Sequence, residues 1–244
     1  MRAYLNGGKR GHYLILAGIA ATETAWPGFE ERWRRVLIKH NLNWWDTADA
    51  MSVDTSGEFL IDPRLGWDRT RAETALDELG EVIRDTRAEH FDACTLRSDA
   101  LVMTCVVDMD AYAEAKTRNP RLRSAEAICA NACVSSLLTI DEAPDLLCFD
   151  QDEGFMKAIE EAWRVAGTRP SAWKPRQLET AGDMRDAHLL PGLQAADLLA
   201  WSTNDALQRA AEKGSPRANV LGRIPHYYGL EEIERDYPRQ KEAR

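Results

Sequence analysis

The chain has 244 residues, 44% hydrophobic and 29% charged, with 15 Gly and 10 Pro. That balance belongs to a globular protein and excludes a disordered chain, a collagen-like repeat and a coiled coil. Thirty-one Lys and Arg against 40 Asp and Glu leave a net charge of −9, so the surface repels phosphate backbones on average and a general nucleic-acid coat is disfavoured. No apolar run approaches the roughly 20 residues that span a bilayer. The five Cys are odd in number and lack a framework spacing, which points to a reducing cytoplasm rather than a small disulfide-rich fold.

In chain order, Ala3 to Leu5 and Tyr13 to Ile19 read as two strands joined by a turn rich in Gly and Lys. Arg2, Lys9 and Arg10 ahead of the apolar run from Tyr13 to Ala21 have the outline of a secretory leader. However, Asn6-Gly7-Gly8 interrupts the basic segment, and Gly18 interrupts the run, which favours a buried strand. Phe29 to His40 carries Phe29, Trp33, Val36 and Leu37 at helical spacing, with a basic outer face. Residues 41–68 show no period and many turn formers, an irregular insertion with short strands. Arg69 to Arg87 is a second helix.

Leu101 to Val107 is the most strand-like run, half β-branched and bounded by Asp99 and Asp108. A helix from Ser124 to Ile140 follows, with Ser124 as its N-cap. Leu146 to Phe149 is a short buried strand ending at Asp150. Next come a helix from Glu153 to Val165, a strand from Trp173 to Leu178, and a helix from Leu193 to Ala211 after Pro191-Gly192. Helices between the later strands are the pattern of crossovers in a partly parallel sheet. The expected organisation is one α/β domain over residues 1–212 and a charged C-terminal appendage over 213–244.

Zinc is disfavoured: Cys129 and Cys133 lie one helical turn apart with no further Cys or His at matching spacing, and free Cys is mostly a core residue. Serine-nucleophile, Walker and dinucleotide-binding motifs are absent. Acids at element ends carry more information. Asp150 ends an apolar strand, where a carboxylate holds a hard cation or acts as a general base; in the bland alternative Asp150 or Asp152 merely caps the helix that begins at Glu153. Asp197 lies within the otherwise apolar Leu193-Gln194-Ala195-Ala196-Asp197-Leu198-Leu199-Ala200-Trp201, one turn after Gln194. A carboxylate in a largely buried helix needs a partner: a cation, a substrate donor, or a salt bridge to an arginine that the sequence does not identify.

At these residues the chain resembles the bacterial and phage family known as domain of unknown function 3800. The resemblance rests on Leu14-Ile15-Leu16-Ala17-Gly18, on Trp26 and Phe29 to Trp33, on Phe149-Asp150-Gln151, and above all on the Leu-Gln-Ala-Ala-Asp element at 193–197. It runs in order from about Arg2 to Leu207. The resemblance implies a ribonuclease H-like fold, a mixed five-stranded sheet flanked by helices, with an acidic cluster for Mg²⁺ or Mn²⁺. It implies a metal-dependent phosphodiesterase or nuclease, with Asp150 and Asp197 holding the ions, Glu126 adding a carboxylate by element order, and Asn6, Gln151 and Gln194 contacting substrate. The chain departs from the family at Tyr4-Leu5-Asn6-Gly7-Gly8, where Asn6 stands in place of the first-strand Asp. An amide offers an oxygen but no charge, so the inner shell is one negative charge short of the family pattern, which leaves open both an active and a degenerate site. The alternative is a non-catalytic binding or interaction protein on the same fold, in a phage or defence setting. If nucleic acid binds, Arg32, Arg35 and Lys39 on the first helix form the local basic strip.

Overall fold

The computed structural model describes residues 1–52, 67–86, 101–138, 145–150, 153–168, 172–176, 191–213 and 226–238. Its centre is the hairpin of β1 (Arg2–Arg10) and β2 (Tyr13–Ala21), paired antiparallel from Arg2↔Ala21 to Arg10↔Tyr13. The connection turns at Gly11, whose φ of 62° suits a residue without a Cβ. β1 is longer than the sequence reading allowed, because Gly7 and Gly8 continue the strand instead of ending it. A Cβ on Gly7 would stand 2.6 Å from the Ile15 carbonyl, so glycine there permits close pairing.

β3 (Leu101–Asp108) pairs antiparallel with β2, completing a three-stranded meander. On the other side of β1, β4 (Leu146–Asp150) and then β5 (Ala172–Arg176) pair parallel. The expected mixed sheet flanked by helices is present. It gains a sixth strand, β6 (His226–Tyr228), parallel to β3, giving the order β5-β4-β1-β2-β3-β6. The segment expected to be an appendage therefore enters the sheet. It continues into α8 (Leu230–Asp236), whose Ile233 is buried against the core.

Strand alternation divides the interior in two. Ala3, Leu5, Leu14, Leu16, Cys105, Val107, Leu147 and Phe149 point to one face, covered by α5 (Ala125–Leu138) and α6 (Glu153–Ala166), with α4 (Met109–Arg118) and α8 alongside. Tyr4, Ile15, Ala17, Val106 and Cys148 point to the other, covered by α1 (Trp26–Lys39), α3 (Arg69–Thr86) and α7 (Pro191–Lys213). α1 buries Trp26, Phe29, Trp33 and Leu37, a stripe at helical spacing. Full burial of a Phe- or Leu-sized side chain contributes about 1.5–3 kcal/mol, so this face is anchored chiefly by its aromatics. The described part of the expected insertion carries no strand but a short helix, α2 (Thr47–Met51), with Trp45 and Trp67 buried beside it; residues 53–66 lie outside the described part. Among the described residues, no helix is long and apolar enough to cross a membrane.

Candidate functional site

The site is built on α7, where the most specific sequence element falls. Pro191 suits the first position of a helix. A Cβ on Gly192 would lie 2.4 Å from the Tyr4 ring, so glycine lets the helix begin directly on β1. The helix then runs along the strand: Gly192 lies over Tyr4, and the Gln208 amide stands 3.2 Å from where a Gly11 Cβ would be. Between those points about 24 Å of helix matches about 23 Å of strand. By the same rise per residue, Asp197 sits at about the level of Asn6.

Gln194 and Asp197 share one side of the helix, as their spacing predicts. The buried Gln194 carbonyl oxygen accepts from the indole N–H of Trp33 at 2.9 Å and from the backbone N–H of Trp45 at 3.2 Å. One Asp197 oxygen accepts from Arg10 Nη2 at 3.1 Å, and the other from the Thr47 backbone N–H at 2.9 Å. The Thr47 hydroxyl accepts the Trp45 indole N–H at 2.9 Å. One helical turn therefore pins both α1, through Trp33, and the start of α2, through Trp45 and Thr47.

The electrostatics of Asp197 are contested. Burial pushes its carboxyl above the ordinary value, the bonds from Thr47 and the charge of Arg10 pull it down, and the nearby Asp46 pushes it up again. Asp46 caps α2 through the Asp49 backbone N–H at 3.0 Å. The sequence alone leaves open which partner Asp197 has and does not single out Arg10 or Thr47: Arg10 reads as turn, and Asp46 and Thr47 as irregular insertion. A capping pattern at Asp46-Thr47-Ala48-Asp49 was the available signal for the second group.

The remaining expected site residues divide. Asn6 is buried in β1, opposite Ala17 on β2. For Asp150 only the backbone is described: β4 pairs Leu5 with Phe149, and position 150 is one step further along, beside Asn6. Gln151 lies outside the described residues. Glu126 is not brought to Asp197. It lies in the first turn of α5, whose buried side belongs to the opposite face of the sheet, because the crossover after β3 places that helix across the sheet from α7.

Two of the three cations of the expected basic strip are answered by carboxylates. Arg35 pairs with Glu31 at 2.8 Å, Lys39 with Glu78 at 2.6 Å and the neighbouring Arg34 with Glu30 at 3.3 Å. Arg32 donates to the Thr86 hydroxyl at 2.5 Å. Between α1 and α3 the charge contact is Glu78 with Lys39, whereas Glu30 and Glu31 answer Arg34 and Arg35 within α1 itself.

Two divalent ions need several hard anionic oxygens converging on them. The described donors do not suit that demand: Asn6 is neutral, and Asp197 already faces a guanidinium. Among the described residues, no group of three or more His, Cys, Asp or Glu side chains is arranged to hold a metal ion. Cys129 and Cys133 are buried in the core, directed at the Leu14 and Leu16 carbonyls, in keeping with packing rather than zinc.

No family model and no curated protein matches this sequence. Among solved structures, the chain is similar to one in the complex of PCNA and RNase HII from Archaeoglobus fulgidus. The match has 14% identity over 88% of this chain and 77% of that one, at a TM-score of 0.46.

Proposed function

We propose that the chain is a ribonuclease H-like domain of the domain of unknown function 3800 type whose phosphodiesterase centre has become non-catalytic, so that it binds a partner instead of cleaving nucleic acid. The fold half of this reading is supported by the meander β1-β2-β3 continuing into parallel β4 and β5, with the Leu-Gln-Ala-Ala-Asp helix lying along β1. The functional half is carried by one observation: both oxygens of Asp197 are engaged within the protein, by Arg10 and by Thr47. Beside them the first-strand position offers only the neutral amide of Asn6. Hydrolysis through paired ions requires several carboxylates converging on two dications about 4 Å apart, which polarise the phosphate and activate water. A cation fixed against one of those carboxylates repels the ion that would use it.

A second reading keeps metal chemistry. Position 150 stands beside Asn6 in the strand register, and Asp150 with Asp197 would then hold Mg²⁺ or Mn²⁺ while Gln194 orients water. The two readings separate in a hydrolysis assay on single- and double-stranded RNA and DNA with Mg²⁺ or Mn²⁺. The non-catalytic reading expects no cleavage above the protein-free control. Mn²⁺-dependent cleavage that disappears in Asp197→Asn would overturn it in favour of the second.

A further inference from the structure

We propose that Arg10 is the resident cation of this centre: its guanidinium takes the place beside Asp197 that a divalent ion would need, and this makes the centre indifferent to metal. The inference rests on the ribonuclease H-like reading and names the residue that sets the specificity of the site.

Strand alternation puts Tyr4, Asn6, Gly8 and Arg10 on the face of β1 that α7 covers. Asp197 stands near the level of Asn6, so the Arg10 side chain reaches back along the strand to meet it. Gly8 lies between the two, and a Cβ there would meet nothing within 4 Å, which leaves open space along the path. The Arg10 and Asp197 side chains are only 23% and 15% exposed. Water therefore screens their attraction incompletely, and the pair counts for more than a surface salt bridge.

The contact is made by one nitrogen. Among the described residues, Arg10 Nε is buried without a hydrogen-bond partner, so the guanidinium does not grip the carboxylate as a two-pronged fork. It acts as a charge at a point, which is how an ion acts. Without that charge, Asp197 would be left with the like charge of Asp46, which already acts on it. Carboxylate oxygens are hard donors of the type that Mn²⁺ and Mg²⁺ accept.

The test is thermal melting in chelator and in millimolar Mn²⁺ for wild type, Arg10→Lys, Arg10→Met, and Arg10→Met combined with Asp197→Asn. Wild type and Arg10→Lys should each melt at the same temperature in both conditions, since a tethered charge is present in both. Arg10→Met should melt about 5 °C lower in chelator and recover most of that loss with Mn²⁺, and the added Asp197→Asn should abolish the recovery. Arg10→Met melting curves identical with and without Mn²⁺ would overturn the proposal. So would an Arg10→Met chain that stays unfolded in Mn²⁺ while Arg10→Lys folds. Metal-dependent cleavage by wild type would instead sink the non-catalytic reading, whereas an inert wild type with an unresponsive Arg10→Met would sink this inference alone.

Discussion

The two faces of one sheet are built from the same strands and differ in what they do with polar groups. The face under α5 and α6 is apolar: Ala125, Ala130, Ala132, Cys129 and Cys133 pack in one cluster with Leu14, Leu16, Phe149, Phe155 and Trp163. Burial pushes the Cys105 and Cys133 thiols well up, so they remain neutral and serve as packing. The face under α1, α3 and α7 is built from indoles. Each of Trp26, Trp33, Trp45 and Trp67 is buried and donates its N–H, to the Ala21 carbonyl, Gln194, Thr47 and the Ala50 carbonyl respectively. Gln194, Asp197 and Arg10 complete that network. A dry face tolerates repacking, whereas a buried polar network demands that every member keep its partner. The polar face is thus both the site and the more fragile half of the fold.

Matched substitutions should expose this difference. Gln194→Leu keeps the volume roughly constant but strips the acceptor from Trp33 Nε1 and the Trp45 backbone N–H. Leaving two buried donors unpaired costs about 1–3 kcal/mol each, so we expect a loss of about 3 kcal/mol in denaturant unfolding. Cys133→Ala removes one sulfur from the dry face and should cost about 1 kcal/mol. Equal losses in the two variants would erase the distinction between the faces.

That distinction was half legible in the sequence. The long strand β3 and the start of α7 at Pro191-Gly192 were read nearly at their observed positions, because continuous apolar character and a Pro–Gly start are local signals. Gln194 and Asp197 were placed on one side of a helix because helical spacing alone decides that. What they hold was not legible. Arg10 belonged to a stretch whose Gly7-Gly8 read as a turn, and only strand pairing with Ile15 and Leu16 shows that those glycines extend the strand. Thr47 and Asp46 lay in a segment without period, where a five-residue helix leaves no periodic trace. Glu126 was assigned by element order, and the side of the sheet that a crossover helix takes is a tertiary property. Lys39 reads as part of a basic strip because its acidic partner Glu78 comes from α3, 39 residues beyond it, whereas the partners of Arg34 and Arg35, Glu30 and Glu31, stand four residues before them on α1 itself.

A smaller effect follows from the titration of Asp197. Its folded carboxyl lies above the ordinary value of 3.8, chiefly through burial, so between that value and the raised one the folded state binds more protons than the unfolded state. Stability from this group is fully present below about 3.8, and it is lost as pH rises through the folded value. Wild type minus Asp197→Asn should therefore show a stability difference that shifts against wild type from pH 4 toward neutrality, by about 1 kcal/mol for each unit the carboxyl is raised. Unfolding curves across that range check it. A difference that moves in favour of wild type would mean that Arg10 and Thr47 outweigh burial.

The central claim is that the charge of Asp197 is answered from within the chain. Calorimetric titration of the wild-type protein with Mn²⁺ at neutral pH tests it most directly. No saturable heat is expected into the millimolar range, with the same flat trace for Asp197→Asn. A stoichiometric binding isotherm in wild type that vanishes in Asp197→Asn would contradict it.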